Sequence, residues 1–311
     1  MISAPLVSGV FAPVLTPFDA GLMPDRKAYA GFCRWLLAQG AGLAIFGTNS
    51  EANSLSLAER LDLLQVLLAD GLPAARMMPG AGACALPDSV ELCRAAAKAG
   101  CAAVLMLPPF YYKGVSDDGL FAFYAETIER TGDSALRICL HHIPQISGVP
   151  ISLALIGRLI GRYPDTVIGI KDSGGDMRHT RAILEAFPGF RVFCGSESFL
   201  TETTRQGGAG CISASANVNP AAICRAYEHA AEAGATERQA ALDAFRRTLE
   251  SFPMIPALKR IVAEFGHYPE FARLRPPLVA LDDGRAGELI GRLNAMGFSA
   301  PGLAAAVSSH F

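Results

Sequence analysis

A chain of 311 residues, 51% hydrophobic and 18% charged, has the material for one large core plus a smaller appendage, which excludes a disordered chain. Its formal net charge is −2, with both signs mixed and no long run of either, so nothing electrostatic calls for nucleic acid. No apolar run reaches the roughly 18 residues of a membrane span. The apolar stretch 2–14 is interrupted by Pro5 and Pro13 and has no basic segment before it, so no signal peptide is expected and the cytoplasm is the expected compartment.

Eight short β-type runs recur in chain order: 10–15, 43–46, 76–79, 103–107, 137–142, 167–171, 191–194 and 211–213. Between successive runs lies an amphipathic segment of helical period. After the second run, Ser56-Leu57-Ala58-Glu59 reads as a capping box, Leu57, Leu61, Leu64 and Leu68 as one apolar stripe, and Gly71 and Pro73 as stop signals. Ser152 is placed to cap the helical stretch 153–163, and Gly40, Gly100 and Gly132 end others.

Strict β-α alternation means parallel strands joined by helical crossovers. Eight such units, with no dinucleotide fingerprint after the first run, favour a (β/α)8 TIM barrel over an open doubly wound sheet. From Pro220 onward the chain is Ala-rich and helical, with Pro253, Pro256, Pro276 and Pro277 marking breaks. The expected division is a barrel carrying the active site over 1–224 and a C-terminal helical region over 225–311.

In such a barrel catalytic groups sit at the carboxyl ends of strands and in the loops that follow. Those places hold Gly47-Thr48-Asn49-Ser50-Glu51, Pro108-Pro109-Phe110-Tyr111-Tyr112-Lys113, His141-His142-Ile143-Pro144, Lys171-Asp172-Ser173, Gly195-Ser196-Glu197 and Ser213-Ala214-Ser215-Ala216-Asn217. Lys171 is the most informative of these. Only five lysines stand against 22 arginines, and Lys171 alone ends an apolar strand, Thr166-Val167-Ile168-Gly169-Ile170. Strand parity puts Gly169 and Lys171 on one face and the two isoleucines on the other, so the lysine is expected in the barrel mouth with Gly169 leaving room beneath it. Enclosure disfavours an ammonium and frees the amine lone pair, the condition for a Schiff base. From the motif alone an ammonium in solvent beyond the strand end fits as well.

Other signals point away from a cofactor. The eight cysteines, from Cys33 to Cys224, show no C-x-x-C spacing and read as buried reduced thiols rather than metal ligands or disulfides. Gly207-Gly208-Ala209-Gly210 resembles a phosphate cradle but precedes the eighth run, on the stability face. The histidines form no H-x-x-x-H pair, and no P-loop occurs.

From about Val10 to Asn217 the motifs resemble those of the pyruvate-dependent lyases typified by dihydrodipicolinate synthase and N-acetylneuraminate lyase. Gly47-Thr48-Asn49-Ser50-Glu51 is similar to the family's G-T-T-G-E loop and Ile168-Gly169-Ile170-Lys171-Asp172-Ser173 to its Schiff-base strand. Pro109-Phe110-Tyr111-Tyr112 is similar to its aromatic loop, and Gly195-Ser196-Glu197 to the loop after strand seven.

The resemblance implies an iminium between Lys171 and pyruvate or a related 2-oxo acid, with an aldehyde as second partner and no metal or organic cofactor. Thr48 and Asn49 would bind the 2-oxo acid carboxylate, with Gly195, Ser196 and Ser213 as further substrate contacts. Thr48, His141 and a tyrosine from a neighbouring subunit would move protons. Spacing to Gly119-Leu120 favours Tyr112 for that tyrosine, and spacing from Pro109 favours Tyr111. A relay across subunits implies a homodimer or a homotetramer.

Two departures stand out. His141 takes the place of the family's usual strand-five tyrosine. It should point inward with Cys139 while His142 points outward, and it would bring an acid limb near its ordinary pKa of ~6.5. Ile146 stands where dihydrodipicolinate synthases carry an arginine for the second substrate's carboxylate, which disfavours that activity. A dehydratase of a sugar-derived 2-oxo acid and a non-catalytic relic that holds a 2-oxo acid are the other readings open at this point.

Overall fold

The computed structural model describes residues 7–308, so residues 2–6 of the apolar N-terminal stretch lie outside the described part. Seven parallel strands are described: β1 Gly9–Ala12, β2 Gly42–Leu43, β3 Val104–Met106, β4 Ile138–His142, β5 Val167–Asp172, β6 Arg191–Cys194 and β7 Gly210–Ile212. The third expected run forms no strand of its own. Ala74–Arg76 is a 3-10 turn, and Met77 and Gly80 form isolated bridges, Gly80 with Leu105, whose N–H also donates to the Pro79 carbonyl at 2.8 Å. Pro79 has no N–H to give a ladder, which keeps this run from extending.

The helices are α1 Arg26–Ala38, α2 Leu57–Ala69, α3 Leu86–Lys98, α4 Asp117–Thr131, α5 Pro144–Ser147, α6 Leu153–Arg162, α7 Met177–Ala186, α8 Leu200–Arg205, α9 Pro220–Glu228, α10 Ala235–Glu250, α11 Met254–Phe265, α12 Asp283–Ala295 and α13 Leu303–Val307. Among the described residues none is long and apolar enough to cross a membrane. The described residues form two compact units, one of residues 7–9 and 73–212, the other of residues 10–72 and 213–308.

In the first unit the strand order is β7-β6-β5-β4-β3. Continuous burial along β4, and along β5 except for half-buried Ile168, follows from apolar runs covered on both faces, as parallel sheets require. Glycines set the spacing here. A Cβ on Gly169 would lie 2.4 Å from the Arg191 carbonyl oxygen, so this glycine lets β6 approach β5. Gly208 and Gly210 of the apparent phosphate cradle are likewise packing glycines, closed against Thr203 and Gly9.

In the second unit β1 pairs with β2, and Phe18, Tyr29, Phe32, Leu36 and Phe271 are buried completely. The capping box at Ser56 and Glu59 forms, at 3.2 and 2.8 Å. The buried face of α2, however, is Arg60, Leu63, Leu64 and Leu67, not the expected stripe, of which only Leu64 is buried. With leucine at 57, 61, 63, 64, 67 and 68 the helix is apolar on more than one side, and packing selects among them. Pro253 does mark the start of α11, but Pro256 lies in its first turn, where a missing N–H breaks no bond. All eight cysteines are free; Cys84 is exposed and Cys101 half-buried, the rest buried.

Candidate active site

Lys171 is buried near the end of β5, and the register sets it opposite His141 of β4 on one side and Phe193 of β6 on the other. His141 is almost completely buried, and its Nε2 has no hydrogen-bond partner among the described residues. Burial first, then the charges of Lys171 and His142, push its pKa well below 6.5. An imidazole held neutral beside an amine can accept a proton at neutral pH. The Cys139 thiol, two residues before His141, is pushed upward by burial and stays a thiol.

The alternate residues of the same strands face α7. Asp172 accepts from the Gly174 N–H at 3.0 Å through Oδ1, and through Oδ2 from Thr180 Oγ1 at 2.8 Å and His179 Nδ1 at 3.0 Å. His142 stacks on His179 with ring centroids 4.4 Å apart. Its Nδ1 accepts the Ile151 N–H at 3.1 Å, which places the ring proton on Nε2. Ligand atoms of His142, Asp172 and His179 lie within 4.8 Å of one another. The hydrogen bonds already made by Asp172 and by His142 Nδ1 knit this cluster together as a clamp across β4, β5 and α7, not as an open metal centre.

Two loops flank Lys171 in this unit. Gln145 Nε2 donates to the Ser173 carbonyl at 2.5 Å, fixing the α5 turn beside the end of β5. Lys113 Nζ donates to the Ser147 carbonyl at 2.6 Å and to that of Phe110, tying the aromatic loop to the same turn. Between these ties Ile146 is 62% exposed, while Tyr111 and Tyr112 stand edge to face, 74% and 71% exposed. Gly195 faces Ser173, whose Oγ would lie 2.2 Å from an added Cβ, so only glycine fits. The Ser196 hydroxyl caps the turn Glu197–Phe199 by accepting from the Ser198 N–H at 3.3 Å.

The remaining expected site residues belong to the second unit. Thr48 and Asn49 open a 3-10 turn, Thr48–Ser50, whose first N–H groups have no partner inside the turn. Ser50 secures it, accepting the Gly47 N–H on Oγ at 3.0 Å and the Thr16 hydroxyl on its carbonyl at 2.7 Å. Ser213 is fully buried, and Arg246 of α10 donates to its hydroxyl at 3.3 Å and to that of Ser215 at 3.5 Å. Asn217 bonds the Leu15 N–H and the Pro13 carbonyl, joining the last loop to the first strand's end. Sequence reasoning missed Lys259, which lies fully buried on Glu51 at 2.6 Å. Its only sequence signal is a lysine flanked by the apolar residues Ala257, Leu258, Ile261 and Val262 of one helix.

Parallel strands alternating with helices, with a buried lysine near the end of β5, are the features of an enzyme built on the (β/α)8 scaffold. The model of the dihydrodipicolinate synthetase family matches residues 6–295. A relative described as an uncharacterized DapA-like lyase of Chloroflexus aurantiacus is 32% identical over 286 residues, 90% of this chain and 94% of its own. The crystal structure of dihydrodipicolinate synthase from Agrobacterium tumefaciens is 30% identical, with a TM-score of 0.85 over 92% of this chain and 98% of that one. A prophage protein of the dihydrodipicolinic acid synthase family from E. coli K12, solved in complex with pyruvate, is 25% identical, with a TM-score of 0.84 over 94% and 99% of the two chains. The chain belongs to the dihydrodipicolinate synthetase family, with its (β/α)8-barrel fold and C-terminal helices. It is accordingly an enzyme of the class I lyase and aldolase type.

Proposed function

We propose that Lys171 is the Schiff-base residue of a lyase or aldolase that acts on pyruvate or a related 2-oxo acid. The observation that carries this is the register pair of buried Lys171 and buried, neutral His141 at adjoining strand ends. The Lys171 ammonium first gives up a proton, the amine adds to the C2 carbonyl, and water leaves as the iminium forms. In the cleavage direction a base takes the proton from the C4 hydroxyl, the C3–C4 bond breaks, the aldehyde departs and the electron pair enters the iminium as an enamine. Protonation at C3 and hydrolysis then release pyruvate and the free lysine. Condensation is the reverse.

Within this reading His141 takes the proton-transfer place that relatives give a tyrosine, together with Thr48. Thr48 and Asn49 bind the 2-oxo acid carboxylate, as the open end of a 3-10 turn suits an anion. Gly195, Ser196 and Ser213 complete the substrate contacts. The exposure of Tyr111 and Tyr112 supports a role outside their own subunit, one of them entering a neighbour's site in a homodimer or homotetramer. The enzyme works in the cytoplasm without metal or organic cofactor, on a 2-oxo acid and an aldehyde.

Borohydride reduction in the presence of pyruvate tests the central claim. A stable pyruvate-derived adduct on Lys171, absent from Lys171→Ala, is expected. No adduct, or an adduct on another lysine with Lys171→Ala still turning over, overturns it.

A further inference from the structure

The turn that opens with Thr48 is bracketed by two non-glycine residues in the left-handed region, Phe46 at φ 60° and Glu51 at φ 56°. Such residues persist only where their surroundings over-determine them, and they cluster where geometry serves function. The surroundings of Glu51 are specific. Oε1 accepts from Lys259 Nζ of α11 at 2.6 Å and Oε2 from the Arg275 N–H at 3.3 Å, and both side chains of the Lys259–Glu51 pair are wholly shielded from solvent. The Lys259 ammonium also lies 4.4 Å from the Phe18 ring centroid, and the Arg275 guanidinium 4.7 Å from it. Arg275 in turn donates to the Ser54 carbonyl at 2.6 Å and to that of Leu22 at 2.8 Å, so the chain just after Glu51 is fixed as well.

A buried ion pair is poor glue, since apolar residues of equal volume often hold a fold as well or better. It does supply direction, because a carboxylate tied at both oxygens can hold its backbone in one conformation. We propose that Lys259 is a positioning residue: through Glu51 it holds the turn Thr48–Ser50 in the shape that receives the 2-oxo acid carboxylate. This rests on the reading of Thr48 and Asn49 as carboxylate ligands. Lys259 touches no substrate and moves no proton; its effect is on how the open N–H end of the turn is presented.

Two variants and two readouts test it. Lys259→Met removes the ammonium and leaves Glu51 buried and unpaired, which endangers folding. The double variant Lys259→Met with Glu51→Leu replaces the pair by apolar side chains and is expected to melt near the parent. In the double variant the pyruvate concentration that half-saturates borohydride trapping should rise at least about tenfold while the maximal trapping rate stays within about twofold, the mark of lost ground-state binding. Amide exchange at Ser50, Glu51 and Ala52 should quicken by at least about tenfold with that of α7 unchanged. A folded double variant with parental half-saturation and parental exchange overturns the proposal and makes the pair mere packing. Loss of the maximal rate alone overturns it too. Failure of the parent to trap pyruvate would count against the Lys171 reading, and the exchange at 50–52 would then decide by itself whether Lys259 orders the turn.

Discussion

His141 and Lys171 stand opposite each other where β4 pairs with β5, and the imidazole is kept neutral by its burial and by the charge of its lysine neighbour. An ordinary histidine general base would give the rate an acid limb near its usual ~6.5. Here that limb moves well below 6.5, so turnover should be flat through the range just under neutrality as far as this group is concerned. A pH profile of pyruvate release measures it. A limb centred at 6.5 that disappears in His141→Tyr would show that the imidazole is not held neutral.

The same residue predicts a split between chemistry steps. His141→Phe keeps the ring volume but has no proton acceptor, so turnover should fall by roughly 100- to 10,000-fold, the usual worth of a positioned acid–base group. Iminium formation with pyruvate needs no C–C bond chemistry and should remain detectable by borohydride trapping. His141→Tyr restores the phenol that relatives carry and should recover part of the loss. Parental turnover in His141→Phe on the true substrate would make the histidine core packing.

Ile146 leads to a prediction about the second substrate. It sits 62% exposed on a turn fixed by Gln145 and Lys113, with an apolar side chain where a carboxylate-gripping guanidinium would stand. A missing charge-assisted hydrogen bond costs roughly 1.5–3 kcal/mol, or about ten- to hundredfold. Condensation of pyruvate with aspartate semialdehyde should therefore be slow, and Ile146→Arg should raise kcat/KM for that aldehyde by roughly tenfold or more. A parent rate equal to that of an arginine-bearing synthase assayed alongside would remove Ile146 as the cause.

The parts of this architecture that follow local rules were legible in the sequence. Period two along 137–142 separates His141 from His142, and the structure sends the second toward α7. The Ser56–Glu59 box and the glycines Gly40, Gly100 and Gly132, all at positive φ, end or begin helices where read. What was hidden depends on partners distant in sequence. Gly169 answers to Arg191 of the neighbouring strand, and Glu51 finds Lys259 across 208 residues, a separation no periodicity encodes. The run at 76–79 carries β-type residues but forms no strand, only an isolated bridge at Met77 with another at Gly80 just beyond it, because pairing depends on its neighbours rather than on its composition.

Stability should vary with pH because His141 and His142 are shifted one way and His179 the other. Burial of His141 favours its neutral form, so its folded pKa lies below the ordinary 6.5. Its contribution to stability is full above about 6.5 and declines as pH falls from there toward the folded value. His179 is the reverse case: its hydrogen bond to Asp172 raises its pKa above 6.5 against partial burial. Burial pushes the Asp172 carboxyl up, but the bonds from His179, Gly174 and Thr180 outweigh it and keep the group below its ordinary value. The His179 contribution is therefore full below about 6.5 and is lost as pH rises through the raised folded pKa. Burial lowers His142 as well, so these groups shape a maximum, with an acid limb shared by His141 and His142 and an alkaline limb belonging to His179. Thermal melts of His141→Phe should show a shallower acid-side decline, the remainder belonging to His142, and those of His179→Gln should lose the alkaline-side one. Near pH 6, where the parent bond to Asp172 is charge-assisted, His179→Gln should cost roughly 1.5–3 kcal/mol, and clearly less near pH 9. An equal cost at both pH values would mean that His179 serves the clamp by stacking on His142 alone, with its proton playing no part.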